Sequence, residues 1–196
     1  MNIFSKNTYK PLNVFKMKIK FLIFSLLIIT YFTSCTLEGE SNYTPEIIFL
    51  RNPVTQAGDS LLFYYTDESG VYRMDTIQVG DTVHFYIYLY AYENNLTAFY
   101  LKESADSVTK IILPSKTSMD SVFLTTSDYS TGKFLMNGTA TSLYFPFRYV
   151  AKSASSEAKI QLTVVSDANF KDSWGTNSAT VIIKTPIVEN TDPLSE

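Results

Sequence analysis

Hydrophobic positions follow two patterns along the chain. Residues 21–32 are apolar almost without a break, with no charge and only Ser25 and Thr30 as aliphatic hydroxyl positions. Beyond residue 45 the apolar positions alternate instead. Phe85, Ile87, Leu89 and Ala91 share one parity, as do Leu143, Phe145, Phe147 and Tyr149, and Ile160, Leu162 and Val164 alternate with Gln161 and Thr163. A period of two gives a strand one core face and one wet face. Burying one such side chain contributes about 1.5 to 3 kcal/mol, so three aligned residues fix the register. Runs rich in Val, Ile, Tyr, Phe and Thr predict strands over 47–50, 61–66, 72–79, 82–92, 98–102, 108–113, 121–125, 133–136, 142–151, 158–165 and 179–184. Turn formers such as Ala57-Gly-Asp59, Gly80-Asp81, Asn94-Asn95 and Asn137-Gly138 separate them. No run carries apolar spacing of three and four, so no substantial helix is predicted after residue 35. Many short strands without interleaved helices predict an all-β fold, a sandwich of two antiparallel sheets. Pro146 lacks an amide hydrogen and places its strand at an edge or a bulge.

The unbroken run is a different object. Lys16, Lys18 and Lys20 precede it, and a basic segment followed by an apolar core is the layout of an export signal. A membrane-spanning helix needs roughly 20 apolar residues, and here small and polar residues arrive sooner. Residues 1–16 leave two readings open, initiation at Met17 or a long basic region. The core is followed by Phe32-Thr33-Ser34-Cys35, which resembles the lipobox of bacterial lipoproteins, with Phe32 where Leu is usual. That resemblance implies a signal peptide over 1–34, a diacylglycerol on the Cys35 thiol, and acylation of the new amino terminus. At about 0.8 kcal/mol per buried methylene, two or three acyl chains hold a domain at a membrane where one does not. A plain secretory signal and an uncleaved membrane helix are the other readings of the same run. Cys35 is the only cysteine, so no internal disulfide is available and the core must hold the fold.

Removing residues 1–34 from the 196 leaves 162, enough for one domain with a sizeable core. Five lysines and no acidic residue lie before the cut, which leaves eleven basic against 19 acidic residues, a net charge of −8. An acidic exterior argues against nucleic acid as a partner, because phosphate binding needs clustered Lys and Arg. Residues 35–44 read as a lipidated tether that is polar and without periodicity. Glu38 and Glu40 just beyond the cysteine resemble the surface-export signal of Bacteroidetes-type lipoproteins. This implies an outer-membrane location displayed outward rather than toward the periplasm.

Val79-Gly-Asp-Thr-Val83 opening a long strand, Asn95-Leu96 before the next, and the closing segments 159–165 and 180–187 resemble the immunoglobulin-like domains of such surface lipoproteins. The resemblance implies an immunoglobulin-like sandwich over 45–187, with 188–196 as a flexible tail. It says little of function, because one fold hosts many activities. The core cysteine pair of antibody domains is absent, as is a core tryptophan.

Candidate chemistry is sparse. His84 is the only histidine, which removes most imidazole-based hydrolytic and metal schemes. It reads as a half-exposed residue on a sheet face. Asp67, Glu68, Asp106, Asp120, Asp128 and Asp172 fall in predicted turns, where solvation explains them. Asp167, Asn169 and Asp172 have a spacing suggestive of calcium but lack the Gly and closing Glu of the known loop. No glycine-rich nucleotide loop occurs, so no cofactor and no metal is predicted. The outlier is the strand over 82–92, where Tyr86, Tyr88, Tyr90 and Tyr92 alternate opposite the aliphatic set. Flat rings bury area while their hydroxyls keep hydrogen bonds, a combination suited to recognition. Tyrosine also simply suits an exposed sheet face. The loop around Trp174, the only tryptophan, is a second candidate contact, or a plug over one end of the core. The expectation is a membrane-anchored, non-catalytic lipoprotein that binds a surface glycan or protein. The alternative is an accessory subunit that uses strand edges to join a larger surface assembly.

Overall fold

In the computed structural model, residues 42–66, 70–105, 107–170 and 175–190 are described. Among these residues thirteen strands carry the fold: β1 Glu46–Phe49, β2 Val54–Thr55, β3 Phe63–Tyr65, β4 Val71–Met74, β5 Ile77–Gln78, β6 Thr82–Tyr90, β7 Leu96–Glu103, β8 Thr109–Ile112, β9 Lys133–Leu135, β10 Ser142–Ala151, β11 Lys159–Ser166, β12 Ser178–Lys184 and β13 Ile187–Val188. Helix α1 spans only Lys116–Asp120, and a 3-10 turn covers Tyr129–Thr131. One sheet runs β1-β6-β10-β8, with β2 also paired to β6, and the second runs β3-β4-β12-β11-β7-β9. The fold is an all-β sandwich, and its strand order is compatible with an immunoglobulin-like arrangement. Pairing is antiparallel except at β4 with β12 and β5 with β13, which are parallel.

The alternation predicted from sequence holds along the long strands. In β6, Val83, Phe85, Ile87 and Leu89 are buried and their even-numbered neighbours half-buried. Phe145, Phe147 and Tyr149 of β10 and Ile160, Leu162 and Val164 of β11 face the same core. Ring packing fills the space between the sheets, with Phe85 stacked on Phe147 at 4.9 Å and Phe99 edge-on to Phe145 at 5.1 Å.

Pro146 sits where its missing donor costs nothing. Leu50 donates to the Tyr86 carbonyl across the β1 side of β6, so Pro146, opposite Tyr86, turns its nitrogen away from β6. On that far side β8 reaches only as far as Arg148, leaving a local edge at Pro146.

Three expected elements differ. Residues 121–125 form turns rather than a strand, because α1 ends in backbone bonds from Val122 and Phe123 to the Met119 carbonyl. The single strand expected over 72–79 is broken into β4 and β5. The Asp75 carboxylate there accepts from the Leu62 amide at 2.6 Å, and the chain leaves the large sheet to pair with β13. β6 ends at Tyr90, two residues before the expected limit, because Tyr92 takes a left-handed backbone at φ 57°.

Candidate functional site

The outer face of β1, β6 and β10 gathers the predicted tyrosines. Tyr86, Tyr88 and Tyr90 project from β6 on the side opposite the core, and all three are half-buried. Cross-strand register sets Tyr88 between Ile48 of β1 and Tyr144 of β10. These neighbours widen the surface, with Ile48 38% and Tyr144 49% exposed. The rings pack on one another: Tyr88 lies 6.0 Å from Tyr90, Tyr90 lies 4.4 Å from Tyr92, and Tyr92 lies 5.0 Å from Tyr43. At the other end the Arg51 guanidinium sits 3.7 Å above the Tyr86 ring, a cation over a π face. Ring contacts thus run without a break from Tyr88 to Tyr43, and Tyr86, under Arg51, shares their face of β6.

Tyr92 joins this surface although it lies outside the strand. Its hydroxyl donates to the Glu46 carboxylate, and that bond, with burial and the Glu46 charge, pushes its pKa up to about 12. The turn that carries it is tied to two other segments. Asn94 donates from Nδ2 to Oδ1 of Asn42 at 3.4 Å, and the same Asn42 oxygen accepts from the Asn169 amide at 3.1 Å. Asn95 is held by Asp167, whose Oδ1 accepts from the Asn95 amide at 2.7 Å and Oδ2 from its Nδ2 at 2.9 Å. The Asp167 side of the suggestive calcium spacing is therefore engaged by Asn95. Asn169 contributes backbone groups here, and Asp172 lies outside the described residues.

His84 lies on the same outer face, opposite Arg148 of β10 and Val54 of β2. With Tyr86, Pro146, Arg148 and the 112–115 segment it lines a depression of about 380 Å³ where β8 gives out. Asp120 accepts from Lys116 and from the Tyr129 hydroxyl, which with the lysine holds its pKa below the usual carboxylate range. Asp128 caps the 3-10 turn through Ser130 and Thr131, and those bonds lower its pKa as well. Both carboxylates are structural. Asp67, Glu68 and Asp106 lie outside the described residues, as do Cys35 and Trp174. Among the described residues no cluster of three His, Cys, Asp or Glu side chains is placed to hold a metal, and no helix is long and apolar enough to cross a membrane.

Sequence reasoning missed Tyr43, Ile48, Arg51, Tyr144 and Arg148 as members of this face. Tyr144 and Arg148 carried a signal, since they alternate with the inward Phe145, Phe147 and Tyr149. Arg51 carried none, because it lies past the end of β1 and reaches Tyr86 across the sheet. Chemically, the face offers aromatic planes, hydroxyls and two guanidinium groups. Its one well-placed carboxylate, Glu46, is spent on Tyr92.

No protein-family model and no curated protein matches the chain. Among solved structures it is similar to the secreted serine protease VesC from Vibrio cholerae, with a TM-score of 0.36 and 11% identity, over 65% of this chain and 23% of that one. So distant a likeness says nothing of activity.

Proposed function

We propose that the chain is a membrane-anchored lipoprotein of the outer membrane, displayed at the cell surface, whose immunoglobulin-like sandwich is a non-catalytic binding module for a surface glycan or a protein. The observation that carries this reading is the aromatic surface from Tyr86 through Tyr88, Tyr90 and Tyr92 to Tyr43, which lies open on the outer face of a sheet. Aromatic patches of this kind call for a partner. The lipobox-like segment ending at Cys35 supports the anchoring.

The test is binding by the full chain in detergent to glycan and protein arrays, compared with a Tyr88→Ala/Tyr90→Ala variant of unchanged thermal unfolding. Loss of the wild-type ligand in the variant supports the reading, and full retention overturns the tyrosine face as the contact. The accessory-subunit alternative draws on β3, a three-residue edge strand flanked by an exposed Leu62 and carrying exposed Tyr64 and Tyr65. A protein that co-purifies in stoichiometric amount under mild detergent would favour it.

A further inference from the structure

One end of the tyrosine face is cationic. Cross-strand register sets Arg148 of β10 directly opposite His84 of β6, and directly opposed side chains of an antiparallel pair leave the same face of the sheet. That face is the outer one, since the inward set of β6 is Val83, Phe85, Ile87 and Leu89. His84, Arg148 and Tyr86 line one depression of about 380 Å³, within the ordinary range for small-ligand sites, about 300–1,000 Å³. The Arg51 guanidinium, 3.7 Å from the centre of the Tyr86 ring, lies over the same tyrosine. Two of the chain's three arginines thus stand at this corner.

The fold leaves these groups unneutralised. The side chains of Arg51, His84 and Arg148 make no ion pair and no hydrogen bond among the described residues, and both arginines are exposed. Glu46, on the same face, is opposite Tyr90, six residues from His84 and about 20 Å away at strand rise, and it is held by Tyr92. Asp59 and Asp81, in the turns at the near end, are engaged within those turns by Thr55 and by the Gln78 amide. Unpaired guanidinium groups in a chain whose acidic residues outnumber its basic ones by 19 to 16 select an anion. The guanidinium fork suits an oxyanion such as a carboxylate or a sulfate, which accepts two parallel N–H···O bonds.

What adjoins the corner sets the rest of the ligand. Tyr88, Tyr90 and Tyr144 present ring planes and hydroxyls, which match the apolar faces and hydroxyl rims of sugar rings. His84 and Tyr88 are four residues apart on one strand, about 13 Å, so a ligand touching both is longer than one pyranose ring. An acidic peptide fits less well. β6 lies inside its sheet, between β1 and β2 on one side and β10 on the other, and so has no free edge for an added strand. Where β10 runs on past β8, Pro146 supplies no donor. Resting on the tyrosine face as the contact surface, we propose that the ligand is an acidic oligosaccharide. Its carboxylate or sulfate is held by Arg148 and His84 with Arg51 beside them, and its rings lie along the tyrosines.

The experiment is isothermal titration of the full chain in detergent with oligogalacturonate and sulfated oligogalactose, with neutral oligogalactose and polyglutamate as comparison ligands. Binding of either acidic sugar at least tenfold tighter than both comparison ligands supports the proposal, and the tighter of the two tells carboxylate from sulfate. So does a tenfold loss of that sugar in an Arg51→Gln/Arg148→Gln variant of unchanged thermal unfolding; if the double variant is destabilised, Arg148→Gln alone decides. Absence of binding by both acidic sugars, equal affinity for oligogalactose or polyglutamate, or full binding by the arginine variant overturns it. If neutral oligogalactose binds, is lost in the Tyr88→Ala/Tyr90→Ala variant and is kept with equal acidic-sugar affinity by the arginine variant, the tyrosine face stands as the contact and the anion site is ruled out. If the acidic sugar is lost in the arginine variant but fully kept in the tyrosine variant, the tyrosine face fails as the contact, and the proposal fails with it.

Discussion

Asp167 grips Asn95 from both carboxylate oxygens, at 2.7 and 2.9 Å, and its own amide donates to the Asn95 carbonyl at 2.9 Å. The two residues are 72 apart in sequence and belong to different hairpins, so their pairing fixes the turn from which Tyr92 projects. Hydrogen bonds to a charged group contribute about 1.5 to 3 kcal/mol when sheltered and less when exposed, as here. Asp167→Ala is expected to lower stability by about 1 to 2 kcal/mol. Urea unfolding at constant slope would measure it, and an unchanged midpoint would show that the latch holds nothing.

Gly132 and Gly138 share a left-handed backbone, at φ 68° and 70°, but not a neighbourhood. A Cβ on Gly138 meets nothing within 4 Å, whereas on Gly132 it stands 1.9 Å from the Leu101 carbonyl oxygen. Gly138→Ala therefore incurs only the conformational strain, about 1 kcal/mol. Gly132→Ala adds a backbone collision and must displace the 3-10 turn from β7, so its loss of stability should exceed the first several-fold. Equal unfolding midpoints for the two variants would contradict this geometry.

What the sequence made legible follows from how many neighbours decide each segment. β6, β10, β11 and β12 declare themselves by strict alternation, since each packs one face on the core and hydrophobic burial dominates. Residues 121–125 misled for the same reason: Phe123 is buried between the exposed Val122 and Leu124, a strand-like signature produced by one anchoring side chain after a helix. β2 and β13 are two residues each and exist only through partners, Val54 and Thr55 beside β6 and Ile187 and Val188 beside β5, so local pattern could not show them. The tyrosine stripe was legible as parity. Its extension to Tyr43 depends on the left-handed turn at Tyr92, which only the folded chain reveals.

Tyr149 carries a polar atom where the fold makes no use of it. Its side chain is fully buried, and its hydroxyl makes no hydrogen bond of good geometry among the described residues, the Thr109 hydroxyl beside it being engaged in donating to Glu103. Burial pushes its pKa well above the ordinary tyrosine value, against a lowering influence from the Thr109 hydroxyl. A buried donor without an acceptor is costly, so Tyr149→Phe, which keeps the ring, is expected to be neutral or to raise stability by up to about 1 kcal/mol. Phe85→Ala nearby in the core should cost about 3 to 5 kcal/mol. A loss above about 1 kcal/mol on Tyr149→Phe would mean the hydroxyl has a partner after all.

The proposed lipid anchor rests on one atom, the Cys35 thiol. Labelled palmitate is expected in the wild-type chain and absent from Cys35→Ala, which should also leave the membrane fraction. Label retained by the variant would end the lipoprotein reading, while the sandwich and its tyrosine face would stand unaffected.

Tyr92 gives the tyrosine face a pH signature. The hydrogen bond to Glu46 favours the protonated phenol, with burial and the Glu46 charge acting the same way, so the folded pKa is about 12 against about 10 in the unfolded chain. A pKa raised by folding means that the folded state holds its proton longer. The stabilisation is fully present below pH about 10 and is lost as pH rises through about 12. Removing the carboxylate charge with Glu46→Gln should bring the Tyr92 titration down toward the ordinary value and flatten the alkaline fall in stability. With 14 tyrosines in the chain, the Tyr92 step is isolated as the difference between tyrosinate absorbance curves of each background and its Tyr92→Phe derivative. Tyr72, Tyr129 and Tyr149 are also raised, but by burial and by neighbours other than Glu46, so their steps should stay in place. An identical Tyr92 difference curve with and without the Glu46 carboxylate would break the link between this turn and β1, and with it the account of how the aromatic surface is extended past the end of β6.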